Sequence, residues 1–240
     1  MIEVTPLLSF VLVDIISNLA LLIISFAVAF RLVNVSNADS ESRAFGLAWL
    51  FIAPIGLLAA ISNFLYWSRS AHLFLTTETI LQVFAVLDVV FVFYYFLVKI
   101  LGVKKINYYI ISVHSFLMLA FVYFFFSTGA QVSSFSLYGA EYSLPPAAQL
   151  LFLLIVAPPF LLNLYDFILR FFKVVIAKNI EEKNRLLASS SLLIFGVAGI
   201  LDQLALTANW PHMVIRISMV MSAIIAYFCY ENIIKDKAQI

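Results

Sequence analysis

The sequence predicts an all-α integral membrane protein: a seven-transmembrane helical bundle with its N-terminus outside and its C-terminus in the cytoplasm. Three observations support this prediction, namely the apolar composition, the number of long apolar runs and the one-sided distribution of Lys and Arg. Of the 240 residues, 64% are hydrophobic and 11% are charged, and the mean hydropathy is +1.07. Soluble domains carry roughly a quarter of their residues as charged side chains. This composition therefore excludes a water-soluble surface.

Seven apolar runs are each long enough to cross a bilayer, which takes about 20 residues for roughly 30 Å of hydrocarbon. The first run is too long for a signal-peptide core and is expected to stay as the first helix. Pro145 and Pro146 favour the start of the fifth helix. The longest outer loop, around Gly139, suits either a short hairpin or a disordered loop. The seven runs form one domain covering residues 1–240, with predicted spans at 7–33, 44–66, 72–100, 106–126, 145–175, 185–206 and 212–230.

The Lys and Arg residues fall almost entirely on one side of the predicted bundle. When alternate loops are assigned to one face, twelve of the fourteen basic residues share it, against Arg69 alone on the other face, and Arg216 lies within a span. Because Lys and Arg favour cytoplasmic loops, the shared face is predicted to be cytoplasmic. The twelve residues are Arg31, Arg43, Lys99, Lys104, Lys105, Arg170, Lys173, Lys178, Lys183, Arg185, Lys235 and Lys237.

Polar residues within the spans concentrate in the outer half of the membrane. Such groups are costly in hydrocarbon unless they are paired or hydrated, so they normally face the bundle interior. A short loop joins helices six and seven, and Asp202 is therefore predicted to pair with Arg216. Structural hydrogen bonds between helices, worth about 0.6–2 kcal/mol each, explain such residues as well as a ligand cavity does. The candidate ligand-binding cluster comprises Asp14, Asn18, Glu78, Gln82, Asp202, Gln203, His212 and Arg216.

A second polar stripe follows helical spacing at the cytoplasmic end of helix five. Asp166 and Arg170 are placed for an i,i+4 ion pair, and Lys173 extends the stripe by one turn. Snorkelling of long side chains at the interface explains such a stripe, and the alternative is a cytoplasmic docking surface formed by these three residues. Deeper in the membrane, Asp88 and His114 either extend the outer polar cluster inward or are ordinary packing positions.

The motifs of several functional classes are absent from the sequence. Cys229 is the only cysteine, which excludes cysteine-based metal clusters and an internal disulfide. The three histidines do not form H-E-x-x-H, and neither a G-x-S-x-G elbow nor a phosphate-binding glycine loop occurs. We therefore expect no enzyme activity, no catalytic residues, no cofactor and no metal site. The scattered basic residues form no continuous patch for nucleic acid.

Seven helices with an outside N-terminus resemble the architecture of microbial rhodopsins, but the predicted seventh span lacks the lysine of a retinal Schiff base. Arg216 cannot replace that lysine, because a guanidinium stays charged and does not form the linkage. Residues 150–233 resemble the last three helices of the seven-helix sensor modules that precede prokaryotic histidine kinases. The features that carry this resemblance are Arg170 and Lys173 at a helix end, Arg185-Leu-Leu, Gly196, Gly199, Leu201-Asp202, Pro211, Ala223, Ala226, Tyr227 and Tyr230.

This resemblance implies a sensing module. Since the chain ends at Ile240 without an output domain, we expect it to act through a partner. The leading hypothesis is a multi-pass cell-membrane receptor that binds a small or lipid-derived ligand from outside and signals to a membrane or cytoplasmic protein. The alternative is an accessory or scaffolding subunit of a larger membrane complex, and the third hypothesis is a proton or ion carrier.

Overall fold

The described residues form a bundle of seven helices with one short hairpin. A computed structural model describes residues 8–34, 40–68, 70–128, 131–136, 139–143, 146–178, 182–203 and 211–238. The helices are α1 (Leu8–Asn34), α2 (Ser40–Trp67), α3 (Ala71–Leu101), α4 (Lys105–Thr128), α5 (Pro146–Phe171), α6 (Lys183–Gln203) and α7 (Pro211–Ala238). The strands β1 (Gln131–Ser136) and β2 (Gly139–Ser143) pair antiparallel between α4 and α5.

Six of these helices, α1 to α6, are long and apolar enough to cross a membrane. The seventh, α7, contributes a shorter apolar stretch, Met213–Cys229, and continues as a helix to Ala238, beyond the predicted span. The predicted start of the fifth helix is confirmed, since α5 begins at Pro146. The hairpin prediction is also confirmed, with Gly139 as the first residue of β2. The molecule is therefore a multi-pass membrane helical bundle.

Glycines bring α1 and α2 into close contact at two points. A Cβ atom added to Gly46 would lie 2.7 Å from Leu32 Cβ, and one added to Gly56 would lie 2.6 Å from the Asn18 carbonyl oxygen and 2.9 Å from the Leu22 nitrogen. The ten-residue step from Gly46 to Gly56 matches the ten-residue step back from Leu32 to Leu22. The two helices are therefore antiparallel, and glycine is needed where small residues let membrane helices approach closely.

The two ends of the bundle differ in charge. We call the end at which α1, α3 and α5 finish and α2, α4 and α6 begin the basic end, and the other the opposite end. Contacts between helices fix this arrangement: the Arg31 guanidinium stacks 4.9 Å from the Tyr227 ring, and the Cys229 thiol donates to the Asn184 carbonyl over 2.8 Å. The described bases at this end are Arg31, Arg43, Lys99, Lys104, Lys105, Arg170, Lys173, Lys178, Lys183 and Arg185.

The apolar interior divides into two clusters that meet at α3. The larger joins α1, α2, α3, α6 and α7, and its centre nearer the basic end is aromatic: Phe45 packs on Tyr95 with ring centroids 5.1 Å apart, and Trp49 packs on Phe195 at 6.1 Å. The smaller cluster joins α3, α4 and α5 and includes the buried side chains of Phe121 and Phe152. Aromatic side chains therefore contribute to both clusters.

Two unusual turns shape the basic end. Gly102 ends α3 with a φ of +71°, and its carbonyl accepts from the Asn107 side chain over 2.6 Å, which fixes the α3–α4 turn. After α5 the chain forms a π-helical turn, Phe172–Ile176, in which the Ala177 N–H donates to the Phe172 carbonyl over 3.1 Å. Lys178 then adopts a φ of +53°, a conformation that is uncommon outside glycine.

Candidate functional site

The predicted ion pair between α6 and α7 is confirmed at the opposite end of the bundle. Arg216 Nη2 lies 3.2 Å from Asp202 Oδ2, and both side chains are largely buried. An ion pair in this environment persists only when its geometry is good, because both charges lose much of their water. The contact joins the end of α6 to the start of α7.

A hydroxyl–carboxylate contact joins α2 to α3 at the same end. The Ser62 hydroxyl donates to Glu78 Oε1, and Ser62 is fully buried. Gln82 lies one turn further along α3 and is also fully buried. The sequence offered no signal for the role of Ser62, since serine is common in membrane helices. Glu78 therefore has a hydrogen-bond donor that sequence reasoning missed.

Asp14 and Asn18 place α1 in the same polar layer. Both side chains are buried, and the Asn18 backbone lies against Gly56 of α2. Gly56 precedes Ser62 by less than two helical turns, so the Asn18 and Glu78 contacts involve one stretch of α2. Asn18 Nδ2 is buried without a hydrogen-bond partner among the described residues. We call Asp14, Asn18, Ser62, Glu78, Gln82, Asp202 and Arg216 the polar layer.

For four other candidate residues, no described contact gives a place in the polar layer. The side chains of Gln203 and His212 are outside the described part of the structure, although their backbones belong to α6 and α7. Asp88 is buried in the middle of α3, and its Oδ1 has no hydrogen-bond partner within the described ranges. The His114 ring packs on Phe93 with centroids 4.6 Å apart. No described contact joins Asp88 or His114 to the polar layer.

A second and denser ionic network lies at the basic end, where Lys99 of α3 meets α5 and α6. Lys99 Nζ lies 2.6 Å from Asp166 Oδ2, with 0% and 3% of the two side chains exposed. The same ammonium donates to Ser189 Oγ over 2.9 Å, and the Ser189 hydroxyl contacts Asp166 Oδ2. Two aromatic rings line the ammonium, at 5.3 Å for Tyr95 and 5.9 Å for Phe96. The network therefore ties three helices together inside the bundle.

Arg170 extends this network to the α5–α6 turn. Its Nε lies 3.2 Å from Asp166 Oδ1, which confirms the predicted i,i+4 pair, and its Nη1 donates to Glu182 Oε2. Burial opposes ionisation of Glu182, but the hydrogen bond from Arg170 and the charges of Arg170, Lys173 and Arg185 outweigh it. The pKa of Glu182 is therefore lowered from its ordinary value of 4.5.

Asn163 joins the network one turn before Asp166. In the amide orientation that satisfies both groups, its nitrogen donates to the Ser189 carbonyl over 3.1 Å and its oxygen accepts from the Leu193 N–H over 2.9 Å. The Ser189 carbonyl and the Leu193 N–H are the i and i+4 partners of one α-helical hydrogen bond. Side chains that insert at such a hydrogen bond are a known cause of helix kinks. Through Asn163, α5 is thus hydrogen-bonded directly to the backbone of α6 at Ser189 and Leu193.

The stripe predicted as a docking surface belongs mostly to this interior network. Such a surface requires exposed side chains, and the structure instead buries Asp166 and Arg170. Snorkelling likewise fails to explain these two residues, and Lys173 alone stays a docking candidate. Charge counting had assigned Lys99 to the cytoplasmic surface because it lies near a helix end. Lys99 and Asp166 each lie near the basic end of their helix, and this similar position along the bundle is the sequence feature that points to their pairing.

Comparison with protein-family models, curated proteins and solved structures finds no match for this chain. The site therefore has to be interpreted from its own chemistry. Among the described residues, no group of three or more His, Cys, Asp or Glu side chains is arranged to hold a metal ion. The described residues form two sets of charged and hydrogen-bonding groups: the polar layer towards the opposite end and the ionic network at the basic end. The helices α3 and α6 contribute residues to both.

Proposed function

We propose that the protein is a seven-span, receptor-like membrane module that binds a small or lipid-derived ligand at the polar layer. The binding is communicated through α3 and α6 to the ionic network at the basic end, where a cytoplasmic or membrane partner reads it. The N-terminus and the opposite end face outside, and the basic end faces the cytoplasm. No chemical step is part of this proposal.

The observation that carries the proposal is the gathering of largely buried polar groups from α1, α2, α3, α6 and α7 towards the opposite end of the bundle. These groups are carboxylates, amides, a hydroxyl and a guanidinium. Ligand sites combine a few convergent polar groups with an otherwise apolar lining. The polar layer, with ionisable groups on α1, α3, α6 and α7, meets this description.

Two helices connect the polar layer to the ionic network. Glu78 and Lys99 both lie on α3, and Ser189 and Asp202 both lie on α6. A ligand that changes the Asp202–Arg216 contact acts on α6, whose backbone at Ser189 is held by Asn163 of α5. Coupling between sites requires such an element with two arrangements that both sites bias. We assign that role to α6.

The ligand proposal is tested by mass spectrometry of small molecules retained by the full chain in native nanodiscs. The variants are Glu78→Gln and Arg216→Gln, and Lys104→Gln, at an exposed position of the basic end, is the matched control. We expect a molecule that accompanies the wild type and the control and is lost from both polar-layer variants. Equal retention by all four proteins would overturn the assignment of the ligand site.

The orientation is tested with single cysteines in a Cys229→Ser background. Ser70 precedes α3 at the opposite end, and Lys104 precedes α4 at the basic end. A membrane-impermeant maleimide added to intact cells should label Ser70→Cys at once and Lys104→Cys only after permeabilisation. The reverse labelling order would contradict the proposed topology.

A second candidate function is an accessory subunit of a larger membrane complex. The helix α4 favours this alternative, because only 17% of its most apolar stretch is buried inside the bundle. Its exposed face carries large aromatic side chains, including Tyr109, Phe116 and Tyr123. Purification in the same nanodiscs distinguishes the two candidates. A stoichiometric companion protein with no bound small molecule would favour the subunit, and Phe116→Ala should then weaken its retention.

A further inference from the structure

Among the described residues, the α5–α6 turn at the basic end presents more positive charge than Glu182 neutralises. Glu182 accepts its close contact from buried Arg170, whereas Lys173 Nζ and Arg185 Nη1 lie 3.8 Å and 3.7 Å from Glu182 Oε1. These two bases are 44% and 52% exposed. Their distances are near the limit of an ion pair, and ion pairs between exposed groups are weak. Both bases therefore remain available to a second anion.

Further charge surrounds this pair of bases. Lys178, after the end of α5, and Lys183, at the start of α6, are both exposed. Lys173 belongs to the π-helical turn Phe172–Ile176 that follows α5. The turn therefore forms a concentration of cations at the point where the apolar length of α5 ends.

An exposed apolar face leads directly to these bases. Leu169, Phe172 and Ile176 follow one another at helical spacing, and they are exposed by 38%, 53% and 65%. They belong to the apolar span that ends at Ile176, so in a bilayer they contact acyl chains. An apolar track that ends in a cluster of bases has the two-part chemistry of an anionic phospholipid.

We propose that the α5–α6 turn binds an anionic phospholipid, with its headgroup phosphate between Lys173 and Arg185 and its acyl chains along Leu169, Phe172 and Ile176. Basic pockets between transmembrane helices recognise such headgroups, and charge-assisted hydrogen bonds from Arg and Lys to phosphate are among the stronger ones. This site is separate from the polar layer and does not depend on the proposed receptor function.

The test measures lipid binding to the delipidated full chain by native mass spectrometry, with phosphatidylglycerol as the probe and phosphatidylcholine as the neutral comparison. We expect Lys173→Ala/Arg185→Ala to lower phosphatidylglycerol affinity about 10- to 30-fold, since each base near the membrane surface contributes about a fivefold factor. The matched control is Lys104→Ala/Lys105→Ala, which removes two exposed bases from the α3–α4 turn. Because these bases lie outside the proposed headgroup site and act on it only through screened solvent, their loss should change affinity less than about twofold.

Three results would overturn the proposal. Wild-type affinity in the Lys173/Arg185 variant would show that the turn is not the site, and equal losses in both double variants would show only general attraction to the basic end. Phosphatidylcholine binding as tight as phosphatidylglycerol binding would remove the role of the anionic headgroup. If the double variant does not fold, Lys173→Gln alone should still weaken binding about fivefold, and unchanged affinity would then contradict the site.

Discussion

The contact between Lys99 and Asp166 is expected to be the most sensitive point of the bundle. Lys99→Met removes the ammonium, Asp166→Asn removes the carboxylate charge, and the double variant removes both. Because the two charged atoms lie 2.6 Å apart with side chains 0% and 3% exposed, neither loss can be compensated by bulk water. The four proteins form a double-mutant cycle for this pair.

The structure predicts unequal losses. Asp166→Asn leaves the buried ammonium without a counter-charge, beside a neutral amide, the Ser189 hydroxyl and two rings. Breaking a buried pair in this way costs about 3–5 kcal/mol. Lys99→Met leaves Asp166 in contact with Arg170 and Ser189, so we expect a smaller loss of about 2 kcal/mol from the same principle. The double variant should lose less than the sum, with a coupling energy of about 1.5–3 kcal/mol.

The assay is thermal unfolding of the detergent-solubilised full chain, followed by tryptophan fluorescence. For a chain of this size, about 2–4 °C of Tm corresponds to each kcal/mol. Lys104→Met, at an exposed position of the same end, is the control and should change stability by less than about 0.5 kcal/mol. The reasoning would be refuted if the two single losses added within about 0.5 kcal/mol, or if Lys99→Met were as mild as the control.

Three further predictions concern other parts of the fold. Gly56→Ala should lower stability by about 1–3 kcal/mol, because its Cβ would meet backbone atoms of α1, whereas the control Gly199→Ala meets nothing among the described residues within 4 Å and should be neutral in the same unfolding assay. Asp202→Arg and Arg216→Asp should each destabilise the protein and their combination should restore part of the loss; no restoration would contradict the pair. Because the folded-state pKa of Glu182 is depressed, its contribution is present above pH 4.5 and is lost as pH falls through the lowered pKa. Protection factors for hydrogen exchange at the α5–α6 turn, which correct for the intrinsic pH dependence of exchange, should therefore fall with acid in the wild type but change less in Glu182→Gln.

The helices and two ionic contacts could be predicted from the sequence because they depend on short-range information. Apolar run length predicts where a chain crosses a bilayer, and Pro146 starts α5 at the expected place. The Asp202–Arg216 pair was predictable because the short loop between α6 and α7 leaves these residues near each other. The same logic predicts the i,i+4 pair of Asp166 with Arg170.

The basic-end network could not be predicted, because it depends on how separate helices pack. Lys99 and Ser189 are 90 positions apart, and nothing local distinguishes a buried Lys near a helix end from one that reaches water. The π-helical turn at Phe172–Ile176 has no proline or glycine to mark it. The hydroxyl of Ser62 near Glu78 was likewise invisible, since only tertiary contact distinguishes it from other serines in the spans.

Communication between the polar layer and the basic end is the central claim, and hydrogen exchange of the full chain in nanodiscs tests it most directly. The protein is compared as purified with its co-purifying small molecule and after that molecule has been washed out, and exchange is followed at the α5–α6 turn from Lys173 to Glu182. The account predicts a change in protection at this turn although the molecule binds at the other end of the bundle. Unchanged protection at the turn, with the molecule demonstrably removed, would contradict it.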